Sequence, residues 1–356
     1  MAIVFSGYGS CIPEKVVDES AFLTSRFFDD KGVPLSLPNE KIIEKFKSIT
    51  GIRQRRYAND RQVSSDLGFI AAEKALKQSG ADPEALSGII CAHNYGDIPL
   101  GKIQSDTVPS LASRIKHKLK IKKPDCMAFD VMCGCPGWVQ SVIIAKQFLE
   151  NNKEGKFLVV SAETLSRVTD PHDRDSMIYG DGAGAVVMEN NKNDDDDSGI
   201  ISAVSKSFTD HELQYLYFDK SYNEQHEQDV RFIKMKGRKI YEFALKNVPM
   251  AMKECLEAAG LDIKDIRRVV LHQANEKMDE AMLQRFFALY REKNIPDLIM
   301  PMSIAKLGNS SVATIPTLLD LIHNGEMPEY AVSKGDILLM ASVGAGMNIN
   351  AITYRM

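Results

Sequence analysis

Cysteine is scarce in this 356-residue chain, and tryptophan occurs once. The six cysteines, at positions 11, 91, 126, 133, 135 and 255, form no repeated CxxC pattern and stand away from paired histidines. That spacing argues against a disulfide framework or a clustered metal site, so most of these thiols should be buried. Long hydrophobic runs are missing as well, none reaching the ~18 residues needed to span a bilayer. The opening segment MAIVFSGYGS lacks the basic start and extended apolar stretch of a secretory signal and reads as a first strand. A cytoplasmic location is expected. Neither sign of charge dominates, with 44 Lys and Arg against 48 Asp and Glu. The resulting net charge of −4 gives no global attraction to nucleic acid.

What is present is an ordinary globular composition, 44% hydrophobic and 26% charged. At about 150 residues per domain, the length suggests two domains or one large fused core. Short apolar runs such as Ile89-Ile90-Cys91-Ala92, Phe157-Leu158-Val159-Val160, Val269-Val270-Leu271 and Ile337-Leu338-Leu339-Met340 suit strands buried on both faces. Residues 64–80 and 241–260 carry helical spacing and end at Gly80 and Gly260, as C-terminal caps do. Strands alternating with helices predict an α/β layered fold. The polar stretch from Asn190 through Asp197 lacks the interleaved ligands of a calcium loop and reads as a solvated connection.

That connection separates two similar halves. Ala75-Leu76, Gly80-Ala81-Asp82, Leu86 and Ile89-Ile90-Cys91 correspond to Cys255-Leu256, Gly260-Leu261-Asp262, Ile266 and Val269-Val270-Leu271, at a constant offset of 180 residues. Later elements follow suit, and each series enters a Gly-Ala-Gly turn, at 182–184 and 344–346. The expectation is a duplicated βα series, with an N-terminal half over 1–190 and a C-terminal half over 198–356. A site is then expected where the loops of both halves converge.

Candidate chemistry lies in four segments. Cys135 follows Gly134 and precedes Pro136 at a helix start, where unpaired N–H groups favour a thiolate. A buried small hydrophobe is the plainer reading of such a cysteine; Cys133, with no further ligands near it, reads as packing. His272 ends an apolar strand, where a side chain can emerge into a crevice, although strand-end histidines are often structural. Asn309, after Gly308 and before two serines, has the form of an N-cap. Gly344-Ala345-Gly346 lacks the third glycine and following helix of a dinucleotide loop, and so reads as a turn that admits close backbone approach.

Together these segments resemble the thiolase superfamily, and within it the beta-ketoacyl-acyl-carrier-protein synthase III group. The similarity runs through Thr50-Gly51-Ile52-Arg53-Gln54-Arg55-Arg56, Phe129 to Trp138, Tyr179-Gly180-Asp181-Gly182-Ala183-Gly184-Ala185, His272-Gln273-Ala274-Asn275 and Gly308-Asn309-Ser310-Ser311, in the family's order. It implies a five-layered αβαβα fold, a homodimer and a Cys135–His272–Asn309 triad. It implies no cofactor and no metal, the substrates being CoA or carrier-protein thioesters. Cys135 would hold an acyl group covalently. An oxyanion hole would come from the backbone of Cys135 and of Gly344, Ala345 and Gly346. His272 and Asn309 would stabilise the enolate released by decarboxylation of a malonyl thioester.

Further residues follow from the same resemblance. Arg167, Asn275 and Lys277 fall on substrate or pantetheine contacts, while Lys45 and Ile49 stand where the housekeeping enzyme grips the CoA adenine with Trp and Arg. The stretch Asn94 to Val108, with Tyr95, Ile98, Leu100 and Ile103, borders the partner's acyl tunnel in the family, and Tyr95 and Val108 are expected there. Its length suggests a primer other than acetyl-CoA. Acyl carrier protein is acidic, so Lys234, Lys236, Arg238 and Lys239 are expected to dock it, although a solvated charge run reads the same way. No cysteine follows Cys255, against a biosynthetic thiolase. Val108 precedes Pro109-Ser110 where head-to-head condensing relatives carry Glu, with Asp97 and Asp106 as the nearby acids. The Gly-Phe-Gly-Pro-Gly loop of chalcone synthases is missing. Two alternatives remain open: transfer of the acyl group to a non-malonyl acceptor, and a non-catalytic partner subunit that keeps the fold.

Overall fold

The computed structural model describes residues 2–102, 104–193 and 196–356; Ile103, Asp194 and Asp195, named above, lie outside them. Two sheets form the frame. The first takes its strands from β1 (Ile3–Cys11), β4 (Gly88–Ala92), β5 (Met127–Val131), β6 (Lys156–Thr164) and β7 (Asp181–Asn190), in the order β1-β7-β6-β4-β5. The second is built from β8 (Gly199–Ser207), β11 (Ile266–Leu271), β12 (Ile337–Gly344) and β13 (Asn348–Arg355), in the order β11-β12-β13-β8. In each, one outer strand pairs antiparallel and a crossover strand runs parallel, as β4 on β6 and β11 on β12. The second sheet has no strand equivalent to β5 among the described residues; Val269 N–H donates to the Ile299 carbonyl where that strand would lie. Two small ribbons complete the set, β2 (Lys15–Asp18) on β3 (Gln54–Tyr57) and β9 (Leu216–Asp219) on β10 (Phe232–Met235).

The helices supply the other layers. Helix α2 (Ser64–Ser79) and α3 (Leu111–Lys118) cover the outer face of the first sheet. Helix α5 (Gly237–Ala258) and α6 (Glu276–Ala288) cover the outer face of the second. Between the sheets lie α4 (Gly137–Glu150) and α8 (Thr314–His323), packed with residues from both. The layers are therefore αβαβα. Helix α8 is buried over Thr314 to Ile322 because it faces a sheet on each side. Its one acid, Asp320, is satisfied by the Ser10 hydroxyl at 2.5 Å and the Asn324 amide at 2.7 Å. All of β4 is buried, as its apolar run requires. Two further helices flank the site, α1 (Asn39–Thr50) and α7 (Ile304–Leu307). No helix among the described residues is long and apolar enough to cross a membrane.

Helix α2 ends at a left-handed Gly80, as its spacing predicts. Helix α5 begins at Gly237 rather than Tyr241, because Gly237-Arg238-Lys239 carries no apolar residue to signal the turn. The β9–β10 ribbon has no forerunner in the sequence reading. Its second strand contains Lys234, and a charge in a short strand obscures the pattern.

Candidate active site

The ends of both sheets border a cavity of about 930 Å³, lined among others by Cys135, His272, Asn309 and the Gly344-Ala345-Gly346 turn. Cys135, His272 and the 344–346 turn are each delivered at the end of a strand, and Asn309 follows the short helix α7. After β5 the chain turns at Gly134, whose φ of 63° suits glycine. Cys135 and Pro136 then lead into α4, so the cysteine sits at the helix N-terminus, beneath unpaired N–H groups. His272 directly follows β11, and its N–H donates to the Ala341 carbonyl of β12 at 2.9 Å. Gln273 beside it ties the next loop down: its amide reaches the Pro301 carbonyl at 2.6 Å, and its oxygen accepts from Ser303 and Ile304 N–H. Helix α7 and then Asn309 follow from that anchor.

Asn309 is pinned to the segment that leads into β7. Its N–H donates to the Ile178 carbonyl at 2.9 Å, and its carbonyl accepts from Gly180 N–H at 2.8 Å. Its side-chain oxygen accepts from Ser311 N–H at 2.8 Å, a tight local turn that fixes the carboxamide. Instead of capping a helix, Asn309 closes this three-residue side-chain turn just ahead of the short 3-10 turn Ser311–Ala313.

The two turns that frame the sulfur meet backbone to backbone. A Cβ on Gly134 would lie 2.5 Å from Ala345 N, and one on Gly344 would lie 2.5 Å from Cys135 N. Only glycine permits this approach, and it brings amides from the turns after β5 and β12 to the same place.

The electrostatics are those of a closed pocket. Burial pushes the Cys135 thiol up to about 11, opposed by a hydrogen bond from the Ser311 hydroxyl at 3.3 Å. Burial lowers His272 to about 4, with a weaker contact from the Ser311 backbone acting the other way, so the ring is neutral at pH 7. Its Nδ1 is buried without a hydrogen-bond partner. A bare lone pair is cheaper to leave unpaired than an N–H, which favours the tautomer with its proton on Nε2. The resting site thus holds a neutral thiol and a neutral imidazole rather than the thiolate that the helix terminus alone suggests.

Other expected residues scatter. Asn275 lines the cavity but also caps α6, accepting from Met278 N–H at 3.1 Å. Tyr95 lines it too, its ring 4.8 Å from that of Phe218 on β9. Lys45 and Ile49 of α1 stand on its wall. Arg167 does not line it; its guanidinium donates to the Ile98 and Asn59 carbonyls and ties two loops together. Lys277 is exposed on α6 outside the lining, and Val108 is 85% exposed. Lys234 corrects the docking expectation: at 1% exposure it is buried, with Nζ 2.5 Å from Asp170 and 3.2 Å from Asp173. It cannot reach an external partner. Lys236, Arg238 and Lys239 remain exposed, with Arg238 pairing Glu242 one turn along α5. Asp97 and Asp106 are both held by Arg114, at 2.8 and 2.7 Å, and are structural.

Sequence reasoning missed Ser311 as a separate participant. Its hydroxyl meets Cys135 and its N–H meets Asn309. In the sequence it is only the last letter of the Gly308–Ser311 motif, and its φ of 52°, rare for a residue with a side chain, has no signature there.

Comparison with known proteins agrees with this architecture. The family model for 3-oxoacyl-[acyl-carrier-protein (ACP)] synthase III matches residues 129–208, and the model of its C-terminal part matches 256–356. A beta-ketoacyl-[acyl-carrier-protein] synthase III from Staphylococcus haemolyticus is 32% identical over 356 residues, covering 100% of this chain and 99% of its own. Among solved structures, the 3-oxoacyl-[acyl-carrier-protein] synthase III of Aquifex aeolicus superposes with a TM-score of 0.80 at 28% identity, covering 99% of this chain and 100% of that one. The priming beta-ketosynthase of the R1128 polyketide pathway gives 0.81 at 25% identity, covering 100% and 96%. With its αβαβα layers and a cysteine cavity shared by both sheets, the chain belongs to the beta-ketoacyl-[acyl-carrier-protein] synthase III family of condensing acyltransferases.

Proposed function

We propose that Cys135 takes an acyl group from a thioester and that the acyl-enzyme then condenses with a malonyl thioester carried by acyl carrier protein. The observation that carries this reading is the convergence of Cys135, His272, Asn309 and two glycine-framed backbone turns on one cavity. In the first half-reaction the sulfur attacks the thioester carbonyl, and the Cys135 and Gly344–Gly346 amides receive the oxyanion. The thiol proton leaves with the pantetheine thiol. In the second, Nε2–H of neutral His272 and the Asn309 carboxamide donate to the malonyl thioester carbonyl as carbon dioxide departs. The resulting carbanion attacks the acyl carbon and expels the Cys135 sulfur. Loss of one such donor typically costs about 2.7–4 kcal/mol of barrier.

In this reading the primer is longer than acetyl. The cavity wall includes Leu35, Ile42, Phe46, Leu216, Ile233 and Met235, apolar surface that a two-carbon group would leave uncovered. Lys236, Arg238 and Lys239 lie at the start of α5, whose Arg238 also borders the cavity; they are the cations left to meet an acidic carrier. A cytoplasmic homodimer fits the free edge of β5, which pairs only with β4 among the described residues. Met127 on that strand, Met132 just beyond it and Phe148 on the adjoining α4 are exposed beside it. The two halves, 1–190 and 198–356, would then be copies of one duplicated unit.

Intact-mass analysis after incubation with acetyl-, octanoyl- and longer acyl-CoA or acyl carrier protein tests the first step, and malonyl-dependent carbon dioxide release tests the second. An acyl adduct on Cys135 that forms faster with the longer donors, followed by carbon dioxide release, is the expected result. An adduct without carbon dioxide release would point to a non-malonyl acceptor, and no adduct with any donor would defeat the proposal.

A further inference from the structure

Cys135 stands at the end of a hydrogen-bonded chain that the condensing mechanism does not use. Asn94, in the loop after β4, donates its side-chain amide both to the Glu163 carboxyl of β6 and to the Ser311 hydroxyl, the latter at 3.1 Å. Ser311 donates in turn to Cys135 Sγ at 3.3 Å. The direction is fixed by counting hydrogens. Both N–H bonds of Asn94 are spent, one on each partner, so the Ser311 oxygen is an acceptor there and its single hydrogen is left for the sulfur. Glu163 is 1% exposed and lies behind the cavity wall rather than on it. A buried carboxyl with no part in acyl transfer or decarboxylation needs a reason to be there.

We infer that Ser311 is a further residue of the acyl-transfer machinery, a hydroxyl donor that stabilises negative charge on the Cys135 sulfur, and that Asn94 and Glu163 position it. The inference rests on the proposed acylation of Cys135 and adds a donor to it. Sulfur carries charge twice in that cycle. It is the attacking thiolate as its S–C bond forms and the donor's C–S bond breaks, and it is the leaving thiolate when the carbanion displaces it. A donor aimed at the sulfur assists both events.

The surroundings leave this task to Ser311. The titratable groups around Cys135 are Glu163 from β6, Cys133 from its own turn, Tyr95 from the loop after β4, Tyr179 ahead of β7 and His272 after β11. Burial keeps Cys133, Tyr95 and Tyr179 protonated and His272 neutral, and although Lys45, Arg174 and Arg238 line the same cavity, no cation among the described residues acts on the sulfur. Burial also raises Glu163, to about 8, so it adds little negative charge beside the thiol at neutral pH. The left-handed backbone of Ser311 supports the same reading. A residue held at φ 52° beside three site side chains is strain kept where geometry matters.

The test is the pH profile of Cys135 alkylation by iodoacetamide, read by peptide mass so that Cys133 is scored separately. Ser311→Gly removes the hydroxyl while suiting the left-handed backbone, so folding is retained. Asn94→Leu removes both amide donors at similar volume. In Ser311→Gly the midpoint of alkylation should rise by about one unit and the rate at pH 8 should fall about tenfold. Asn94→Leu should shift the profile in the same direction by less. Acyl-adduct formation should slow in parallel while KM for the malonyl thioester holds. A wild-type alkylation profile in Ser311→Gly overturns the inference. If the profile shifts but no thioester acylates the enzyme, the proposed function falls and the donor arrangement stands, so the two failures are distinguishable.

Discussion

Gly344 and Cys135 approach so closely that a single added methyl group would stand 2.5 Å from the cysteine's backbone nitrogen. That nitrogen is one of the amides assigned to the oxyanion, so the contact couples a glycine at the end of β12 to the chemistry at the start of α4. Gly344→Ala should therefore force the 344–346 turn away from Cys135 and misplace both amides. The expected loss is at least a hundredfold in the rate of acyl-adduct formation, on the order of one oxyanion donor. The cavity wall otherwise keeps its core, so the melting temperature should change little by comparison. Stopped-flow acylation beside calorimetry checks the split.

Lys234 makes a different kind of prediction. Its ammonium is buried between Asp170 and Asp173 and lies 3.3 Å from the Tyr222 ring centroid. Removing it leaves two carboxylates facing each other without a cation. Breaking one side of a buried charge cluster costs about 3–5 kcal/mol. Lys234→Ala should thus lower stability sharply in urea melts, whereas Lys236→Glu with Arg238→Glu should leave stability near wild type and raise KM for carrier-protein substrates. Unchanged stability in Lys234→Ala would return that lysine to the docking surface.

These two cases divide what the sequence discloses from what it conceals. Cys135, His272 and Asn309 each sit where the chain reverses beside a glycine or proline or at the end of an apolar strand. Local composition therefore marks them as candidates beside plainer readings as a buried thiol, a structural histidine and a cap; the triad itself is what the family resemblance implies, and the three residues line one cavity. The layered fold was legible for the same reason, since strands buried on both faces and caps such as Gly80 are local patterns. Lys234 was misread because its partners stand 64 and 61 residues away, and a lysine run looks like solvent-facing charge until those partners are known. Glu163 and Ser311 were missed similarly. Nothing near Glu163 marks it as an anchor for Asn94, 69 residues distant, and the role of Ser311 depends on a backbone angle.

His272 sets an acid limit. Burial holds its pKa in the folded chain at about 4, below the ordinary 6.5, so the unfolded chain binds this proton more readily. The unfolded state gains as pH falls below 6.5, and the penalty grows until about pH 4, where the folded ring also protonates. A shift of about 2.5 units corresponds to about 3 kcal/mol. Urea titrations at pH 7 and pH 4 should show His272→Gln losing about 3 kcal/mol less than wild type over that interval. The condensation rate should also keep its acid limb near pH 4 rather than 6.5, because the neutral ring is the active form.

Asp279 carries the opposite sign. It is fully buried on α6, and neither carboxyl oxygen has a hydrogen-bond partner. Burial, with Glu276 and Glu280 nearby, raises its pKa well above the usual carboxylate range. A carboxyl whose folded pKa is raised binds its proton more tightly when folded, so it destabilises the native state as pH climbs past the unfolded value near 4. The penalty increases until the folded group ionises. Asp279→Asn keeps the shape and cannot ionise, so it should match wild type at pH 4 and exceed it at pH 8, with a flatter dependence between. Equilibrium melts across that range measure the difference directly. Equal slopes for the two proteins would mean that this carboxyl finds a partner or solvent in solution.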